Sequence, residues 1–283
     1  MNSTTASADV QAIADEVLSS LAAHRQAAPF SARPGGLTLD AAYRVTPLLR
    51  AAFEARGETV LGRKIGFTNR SIWPQYGVYA PIWGYVTDAT VHDLSSPKAE
   101  GGEGRMAAIR TADFAEPRIE PEIMFGLRAT PAPDMGEDAL LDCIDWVALG
   151  YEIVQSIFPA WKFAAADTVA VNGLHGALCV GPRHAIAPRR AQWLGELATF
   201  TAELSCNGRL VDRGGGAAVL DSPLSALRHL VGMLAKDRHN PPLAAGEIIS
   251  TGTLTKAMPV AAGETWTTRV AGIPLEDAVL RFC

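Results

Sequence analysis

The part of the chain after Gly57 is a succession of short β-branched or aromatic runs separated by Gly, Pro and Asp. Runs of this length and composition predict strands with turns between them. They do not alternate regularly with helical segments, which argues against a doubly wound parallel sheet. One amphipathic helix interrupts them between Pro223 and Leu234, where apolar residues recur at helical spacing. The sequence therefore predicts an α+β fold with a β-rich body, whose strand candidates are TVLGRKIGF, YGVYAPIWGYV, RIEPEIMFGL, WVALGYEIV, ALCVG, ELSCNGRLV, GEIISTGTL and ETWTTRVAG.

The first 58 residues have a helical pattern instead. Apolar residues recur at helical spacing from Val10 to Leu21 and predict one amphipathic helix. Thr38 is a suitable N-cap for a second helix over 41–55, which Arg56 and Gly57 close. We therefore expect a helical N-terminal arm over residues 1–58 and a β-rich catalytic domain over residues 59–283.

Composition excludes several classes of protein. The 283 residues are 48% hydrophobic and 19% charged, which suffices for a large core and excludes a disordered chain or a coiled coil. The net charge of −5 gives no basic face for nucleic acid, so no nucleic-acid partner is expected. The nearest basic cluster is interpreted as a solvated loop and comprises Arg183, His184, Arg189 and Arg190.

Targeting and cofactor motifs are also missing from the sequence. No apolar run approaches the roughly 18–20 residues that a bilayer span requires, so no membrane partner is expected. The N-terminus lacks a basic region followed by an apolar block, and the four cysteines form no CxxC pair. These features predict a cytoplasmic protein with reduced thiols. The motifs GxxxxGK[ST], GxGxxG, GxSxG and HExxH are absent. Their absence argues against a phosphate-binding nucleotide loop, the nucleophile turn of a serine hydrolase and a zincin-type zinc site.

The sharpest local feature is a pair of glutamates, Glu120 and Glu122, on either side of Pro121. Residues two apart in a strand point to the same face, so the two carboxylates lie side by side and repel each other unless a cation or a shared proton intervenes. Mg²⁺ or Mn²⁺ needs such a pair with a third acid, and Glu152 lies in a later, otherwise apolar strand. The alternative is an exposed edge strand with two solvated glutamates, which Pro121 also fits.

Three further segments carry polar groups with two interpretations each. Lys64, between two glycines, either reaches into a cleft or is a strand lysine whose ammonium reaches solvent. Asn172 and His175 follow an apolar run, where a lone histidine is more often structural than catalytic. The STGTLTK run at 250–256 either holds a carboxylate through its N–H and hydroxyl groups or is a plain tight turn at Gly252.

Taken together and in order, the motifs of this chain resemble the 2-keto-4-pentenoate hydratase / 4-oxalocrotonate decarboxylase family of the fumarylacetoacetate hydrolase superfamily. The resemblance extends from about residue 37 to the C-terminus. It rests on LTLDAAY, GRKIGFTN, YGVYAPIWG, RIEPEI, GYEIVQS, the Asn172 segment, GGGAAVLDSPLSALRHL, LAAGEIISTGTLTKAMPV and GETWTTRVAGI.

The resemblance implies a fold and a set of site residues. The expected fold is a mixed β-roll with a small helical N-terminal part, in a homo-oligomer. A divalent metal, usually Mg²⁺, is expected on Glu120, Glu122 and Glu152, with Lys64 as the active-site lysine. The turn that contacts the substrate carboxylate falls on three consecutive residues, Thr251, Gly252 and Thr253.

The chain departs from the family pattern at two places near the expected site. Hydratases of the family typically carry Pro-Asp-[FY]-Gly where this chain has Pro81-Ile82-Trp83-Gly84, so Ile82 replaces a candidate acid/base group. The usual Ala-Asp-Asn-[AS]-Ser is replaced by a segment that keeps Asn172 and introduces His175. We expect Ile82 and Asn172 to border the substrate, and His175 is a candidate base.

The family chemistry is enolate formation from a metal-bound 2-oxo acid, which leaves several activities open. Hydration of a 2-hydroxy-2,4-dienoate needs a group that positions or deprotonates water, whereas decarboxylation needs only the electron sink. We place the hydratase slightly ahead of the decarboxylase because His175 can replace the missing carboxylate. Hydrolysis of an acylpyruvate C–C bond is favoured if His175 lies within hydrogen-bond reach of an acid. The non-enzymatic alternative is an inactive scaffold that binds a small 2-keto acid.

Overall fold

A computed structural model describes residues 9–94 and 107–283. The GGEGR segment at 101–105, whose glycines predict a loop, lies outside the described residues. The helices are α1 (Val10–Ala22), α2 (Leu39–Ala55), α3 (Trp73–Tyr76), α4 (Glu137–Leu141), α5 (Ala165–Ala170), α6 (Arg190–Thr199) and α7 (Pro223–Leu234). The strands are β1 (Val60–Gly66), β2 (Ile82–Thr87), β3 (Val91–Asp93), β4 (Ala108–Ile109), β5 (Arg118–Leu127), β6 (Ile144–Val154), β7 (His175–Val180), β8 (His184–Ala185), β9 (Thr201–Cys206), β10 (Arg209–Gly215), β11 (Ile248–Thr253), β12 (Met258–Pro259), β13 (Thr265–Ala271) and β14 (Ala278–Phe282).

The larger of two mixed sheets in the described residues has the strand order β2-β1-β11-β5-β6-β7-β3, with β12 paired to β5 and β8 to β6. Strands β1 and β11 run parallel, and β5 is antiparallel to both β11 and β6. A second sheet has the order β10-β9-β13-β14-β4. The predicted α+β class with mixed sheets is confirmed.

The long central strands β5 and β6 are almost completely buried, because helices and the second sheet cover the larger sheet. The same core includes apolar side chains from the N-terminal helices, such as Val17 of α1 and Leu49 of α2. Thr38 caps α2 by accepting a hydrogen bond from the Ala41 N–H, as its position in the sequence predicts. The N-terminal helices and the sheets therefore share one hydrophobic core.

The structure differs from the sequence expectations mainly in its extra helices. Arg189 and Arg190, which the composition assigned to a solvated loop, lie where a 3₁₀ turn passes into α6, and Arg190 pairs with Asp138 and Asp142. The ELSCNGRLV run is two strands of a hairpin, β9 and β10, because Asn207 and Gly208 adopt positive φ and reverse the chain. None of the helices within residues 9–94 and 107–283 is both long enough and apolar enough to cross a membrane.

Candidate active site

Three glutamates from two neighbouring strands meet at the centre of the larger sheet. Glu120 and Glu122 lie two apart on β5, and Glu120 is directly opposite Glu152 of β6 in the antiparallel register. One carboxylate oxygen of each residue lies within 4.8 Å of the others. The structure therefore brings together the three acids proposed from the sequence, and they lie on central strands rather than on an exposed edge.

The environment of these carboxylates opposes their ionisation in the absence of a cation. Burial, reinforced by Glu152 and Glu120, raises the pKa of Glu122 well above its usual range. Burial also raises the pKa of Glu120 to about 7, although the Lys64 ammonium acts in the opposite direction. Glu122 and Glu152 are both fully buried. Three acids facing one ammonium leave an excess of negative charge that a bound cation can neutralise.

Two carboxylate oxygens of the cluster lack a hydrogen-bond partner in the part of the chain that the structure describes. Glu122 Oε1 is buried and has no hydrogen-bond partner among the described residues. Glu152 Oε2 lies 3.0 Å from Lys64 Nζ but also lacks a partner with hydrogen-bond geometry. Buried carboxylate oxygens that converge without donors are the ligands that Mg²⁺ and Mn²⁺ prefer. The donor set of this site thus fits a divalent cation of this type.

Lys64 supplies the ammonium of the site from β1. Its Nζ donates a hydrogen bond of 2.9 Å to the Gly173 carbonyl and lies 3.0 Å from Glu152 Oε2. Burial alone acts to lower the pKa of Lys64, but the three carboxylates, led by Glu152, outweigh it and the pKa is raised. Gly173 has φ +65°, and a Cβ there would lie 3.0 Å from Lys64 Cδ. A glycine at this position therefore lets the backbone approach the lysine closely.

Glu122 is held in place by the end of β11, where residues 250–253 belong to the strand, with an irregular register against β5, and not to the separate turn expected from the sequence. Ser250 Oγ donates to Glu122 Oε2 at 2.5 Å, and the Gly252 N–H donates to the same oxygen at 2.8 Å. The Thr251 hydroxyl donates to the Ile123 carbonyl of β5. Gly252 has φ +104°, a conformation that favours glycine. Two of the three turn residues expected at the substrate carboxylate are therefore engaged with β5.

A cleft opens in front of the acid cluster. Lys64, Glu120 and Thr253 line its inner part, and most of the remaining wall is apolar or aromatic. Ile82 also lines the cleft. A Cβ added to Gly66 would lie 3.1 Å from Ile82 Cγ1 and 3.5 Å from Lys64 Nζ, so both side chains border the same small space. The residue that replaces an expected carboxylate therefore presents an apolar side chain next to the lysine.

His175 and Asn172 lie on the side of the site that faces away from the cleft. His175 Nδ1 is 2.8 Å from Glu152 Oε1, and Nε2 is 2.9 Å from Thr90 Oγ1. The Asn172 amide exchanges two hydrogen bonds with the backbone of Tyr85. Both side chains line a second cavity, next to α1 and α2, and neither lines the cleft. His175 thus reaches an acid of the site from behind, and the Asn172 amide is used within the protein.

Sequence reasoning gave no individual role to three polar residues of this region. Ser250 holds Glu122, Thr68 lines the cleft with a buried hydroxyl that lacks a partner among the described residues, and Arg118 lines the cleft on the strand of Glu120. Arg118 carried a usable signal, because it lies two residues before Glu120 and therefore on the same face of the strand. Thr68 had no comparable signal, since its position depends on contact with Gly252 from a distant strand.

Comparison with known proteins agrees with this geometry. The family model for the fumarylacetoacetate (FAA) hydrolase C-terminal region matches residues 82–279. A 2-hydroxyhexa-2,4-dienoate hydratase of Comamonas testosteroni is 30% identical over 88% of this chain and 89% of its own length. A 4-oxalocrotonate decarboxylase of Pseudomonas sp. (strain CF600) is 32% identical over 84% of this chain and 83% of its own.

A solved structure matches over nearly the whole chain. The 4-oxalocrotonate decarboxylase from Pseudomonas putida G7, complexed with magnesium and adipate, is 27% identical, with a TM-score of 0.85 and coverage of 97% of each chain. The matches in sequence and fold agree with the order of motifs along the chain. This protein therefore belongs to the 2-keto-4-pentenoate hydratase / 4-oxalocrotonate decarboxylase family of the fumarylacetoacetate hydrolase superfamily.

Proposed function

We propose that this chain is a divalent-metal-dependent lyase that acts on 2-oxo or 2-hydroxy-alkenoic acids. Glu120, Glu122 and Glu152 would hold the metal, Mg²⁺ or Mn²⁺. The observation that carries the proposal is the convergence of these acids beside Lys64. Two of them are fully buried, each of those two has an oxygen that lacks a partner among the described residues, and Glu120 lies at the cleft. Relatives named as hydratases and decarboxylases, and a neighbour solved with magnesium and adipate, support the same substrate class.

The protein's own residues perform distinct tasks around this centre. When bound, a divalent metal supplies a Lewis acid that polarises the 2-oxo group of the substrate. Lys64 Nζ lines the cleft as an ammonium and can donate a hydrogen bond to the oxygen on which charge develops. Ser250 and the Gly252 N–H hold the Glu122 carboxylate in one orientation, and His175 does the same for Glu152.

Among the family activities, the geometry favours decarboxylation of an oxalocrotonate-type substrate. The C–C bond to the distal carboxylate breaks, its electron pair moves along the conjugated chain to the 2-oxo oxygen, and CO₂ leaves. This step needs no activated water. Ile82 gives the cleft an apolar wall beside Lys64, and His175, the candidate replacement base, lines the second cavity instead. A decarboxylase therefore takes precedence over the hydratase that the sequence placed slightly ahead.

Two other candidates keep a specific observation in their favour. The hydratase is supported by relatives of that name that align over most of this chain. An acylpyruvate C–C hydrolase is supported by the contact between His175 and Glu152, at 2.8 Å, because a histidine–glutamate pair can activate water. Both activities need water next to the substrate, and the side of Glu152 on which His175 lies is separate from the cleft lining.

The finer features of the fold, together with the assembly and location of the protein, are proposals that follow from the family resemblance. We propose a small helical N-terminal part, with the arm ending near residue 58 and the catalytic domain over 59–283, and a β-roll arrangement of the sheets. We also propose a cytoplasmic homo-oligomer with a small 2-keto acid as its substrate and with neither nucleic acid nor membrane as a partner. The acidic net charge of −5 supports the exclusion of nucleic acid.

One experiment separates these activities. The protein is incubated with Mg²⁺ and, separately, with 2-oxohex-3-enedioate, a 2-hydroxy-2,4-dienoate and an acylpyruvate, and the products are followed by NMR. We expect loss of CO₂ from the enedioate. A hydrated product as the main outcome supports the hydratase, and cleavage of the acylpyruvate supports the hydrolase. Absence of turnover together with absence of Mg²⁺ binding by calorimetry overturns the enzymatic proposal and supports the keto-acid-binding scaffold.

A further inference from the structure

Arg118 is a second cation in the cleft. Its charge, like that of Lys64, opposes the burial that raises the pKa of Glu120, although it forms no ion pair with that carboxylate. It is the first residue of β5 and projects to the same face as Glu120. It is partly buried and lines the cleft together with Lys64 and Glu120. Within residues 9–94 and 107–283, no carboxylate lies within ion-pair distance of its guanidinium, which lies over an aromatic ring.

That ring holds the guanidinium in position. Arg118 Cζ lies 4.0 Å from the centroid of the Trp161 ring, so the cation stacks on the indole. Stacking covers one face of the guanidinium and leaves its N–H edges for a ligand. The arrangement is prepared before any ligand binds, because Trp161 is 9% exposed and donates from Nε1 to the Glu116 carbonyl at 3.1 Å.

The loop beneath Arg118 has an unusual backbone that serves this placement. Two consecutive non-glycine residues, Ala160 and Trp161, have φ of 56° and 57°, which L-residues rarely adopt. The Ala160 N–H donates to the Glu116 side chain at 3.1 Å and stabilises the turn. Strained conformations of this kind persist where the surrounding structure enforces them, often beside ligands. The backbone of this loop therefore holds the indole against the guanidinium.

Of the other donors near the acid cluster, the Thr68 hydroxyl, unpartnered among the described residues, is uncharged, and two more already have partners. Lys64 Nζ is shared between Glu152 and the Gly173 carbonyl, and the Gly252 N–H is bonded to Glu122. Aromatic side chains, including the stacked pair of Tyr76 and Phe163, make much of the remaining wall. Apolar walls disfavour a second charge on the substrate, and away from Lys64 the cationic side chain in the described cleft lining is Arg118.

We infer that Arg118, stacked on Trp161, binds the distal carboxylate of a dicarboxylic 2-oxo acid and so selects such substrates over monocarboxylic ones. The inference rests on the proposed function, which places the 2-oxo end of the substrate at the acid cluster. The bound carboxylate is the one that leaves as CO₂, so the ion pair exists with the substrate and is lost with the product. Arg118 therefore favours substrate over product in the cleft, and it contributes to binding more than to the bond-breaking step.

Two saturated ligands test this assignment without turnover. 2-Oxohexanedioate and 2-oxohexanoate differ only in the distal carboxylate, and neither has the conjugated alkene that decarboxylation requires. Their affinities for the Mg²⁺-loaded protein are measured by calorimetry. We expect the wild-type protein to bind the dicarboxylate about 10-fold or more tightly than the monocarboxylate, as a charge-assisted bidentate pair implies.

Variants locate the source of the preference. Arg118→Met keeps an apolar chain on Trp161 and should bring the two affinities close to equality. Arg118→Lys keeps the positive charge but lacks the planar guanidinium that binds a carboxylate through two hydrogen bonds, so it should give an intermediate ratio. The control is Arg110→Met, because that arginine is largely exposed and outside the cleft lining. Unfolding temperatures of all variants establish that the fold is retained.

Each outcome bears on the assignment. An unchanged ratio in Arg118→Met overturns it, and so does an equal loss of affinity for both ligands, which assigns Arg118 to the proximal carboxylate or to a structural role. With 2-oxohex-3-enedioate, Arg118→Met should raise KM and leave kcat nearly unchanged. Retained discrimination in a protein that does not decarboxylate would refute the proposed reaction and leave the Arg118 site standing. Decarboxylation without Arg118-dependent discrimination would refute the Arg118 site and leave the proposed reaction standing.

Discussion

Glu152 has two different environments, one on each side. Toward Lys64, its Oε2 lies 3.0 Å from the ammonium but, like Glu122 Oε1, lacks a partner with hydrogen-bond geometry within the described residues. Toward the second cavity, its Oε1 faces His175, both of whose ring nitrogens are engaged. The Asn172 amide behind it is likewise satisfied by Tyr85. The cleft side retains unsatisfied groups, whereas polar groups on the other side are paired with one another.

This difference separates groups that can act on a ligand from groups that hold the site together. An unsatisfied buried polar group is costly, so a folded protein retains it where a ligand or ion satisfies it. A paired group contributes to stability and orientation instead. We therefore expect the effects of substitution to be large on the cleft side and smaller on the His175 side.

The largest effect is expected for Glu122→Gln. The change keeps the size of the side chain but removes a charge from the proposed metal site. Since loss of even a supporting partner of a metal ligand costs about 10- to 100-fold, loss of a ligand charge should lower kcat/KM by more than about 100-fold. The metal-free variant should unfold at a higher temperature than the wild type, because burial and neighbouring acids disfavour the ionised Glu122.

Thermal unfolding with and without Mg²⁺ provides the second measurement for this variant. Mg²⁺ should raise the unfolding temperature of the wild type and much less that of Glu122→Gln. Glu203→Gln, on a side chain that is 45% exposed, is the control and should behave as the wild type does. Full activity in Glu122→Gln would refute the metal assignment.

Lys64→Met should have the next largest effect. Removal of the ammonium that lines the cleft should lower kcat by about 10²- to 10⁴-fold, the range typical of a proton donor or hydrogen-bond donor in the reaction. Affinity for Mg²⁺ should be retained or increased, because a positive charge is removed from beside the carboxylates. Calorimetry with Mg²⁺ distinguishes this outcome from simple loss of the metal, and Lys162→Met, at an exposed lysine, is the control.

Substitution of His175, on the side of Glu152 away from the cleft, should lower catalytic efficiency less than the two changes above. His175→Ala removes the partner of Glu152 Oε1 and should lower kcat/KM by about 10- to 100-fold through a less ordered carboxylate. His175→Asn should restore part of the loss if its amide reaches the same oxygen. A loss of activity as large as that in Lys64→Met, without rescue by asparagine, would contradict the expectation that the His175 side of Glu152 only orients the carboxylate. It would favour a direct role for His175 in activating water.

Ile82→Asp should have the smallest effect on total turnover but should change the products. A carboxylate beside Lys64 restores the group that hydratases of the family typically carry, and it can position water. We expect the share of hydrated product to rise a few-fold relative to decarboxylation, measured by NMR on the same substrate panel. Ile82→Leu is the volume-matched control. An unchanged product ratio would show that this position does not govern the reaction.

Several features of the fold and site could be predicted from local sequence alone. The RIEPEIMFGL run coincides with β5, and the helical pattern from Pro223 to Leu234 coincides with α7. The placement of Glu120 and Glu122 on one face follows from the two-residue period of a strand. Predictions of this kind succeed because they depend only on backbone geometry over a few residues.

Other features depend on which distant segments meet. The pairing of Glu152 with Glu120 follows from the register of β5 against β6, which no local pattern specifies. The direction from which His175 approaches, and the stacking of Arg118 on Trp161, likewise depend on segments that are far apart in the chain.

The sequence by itself determined the fold class, the acidic donor set and the family to which the chain belongs, because each is encoded in residue types, their order and short-range periodicity. Only the tertiary structure decided which side of Glu152 each polar group occupies, and hence which groups remain free for a ligand. The physical reason is that hydrogen-bond satisfaction is a property of neighbours in space, and these neighbours come from strands and loops that the chain brings together only when it folds.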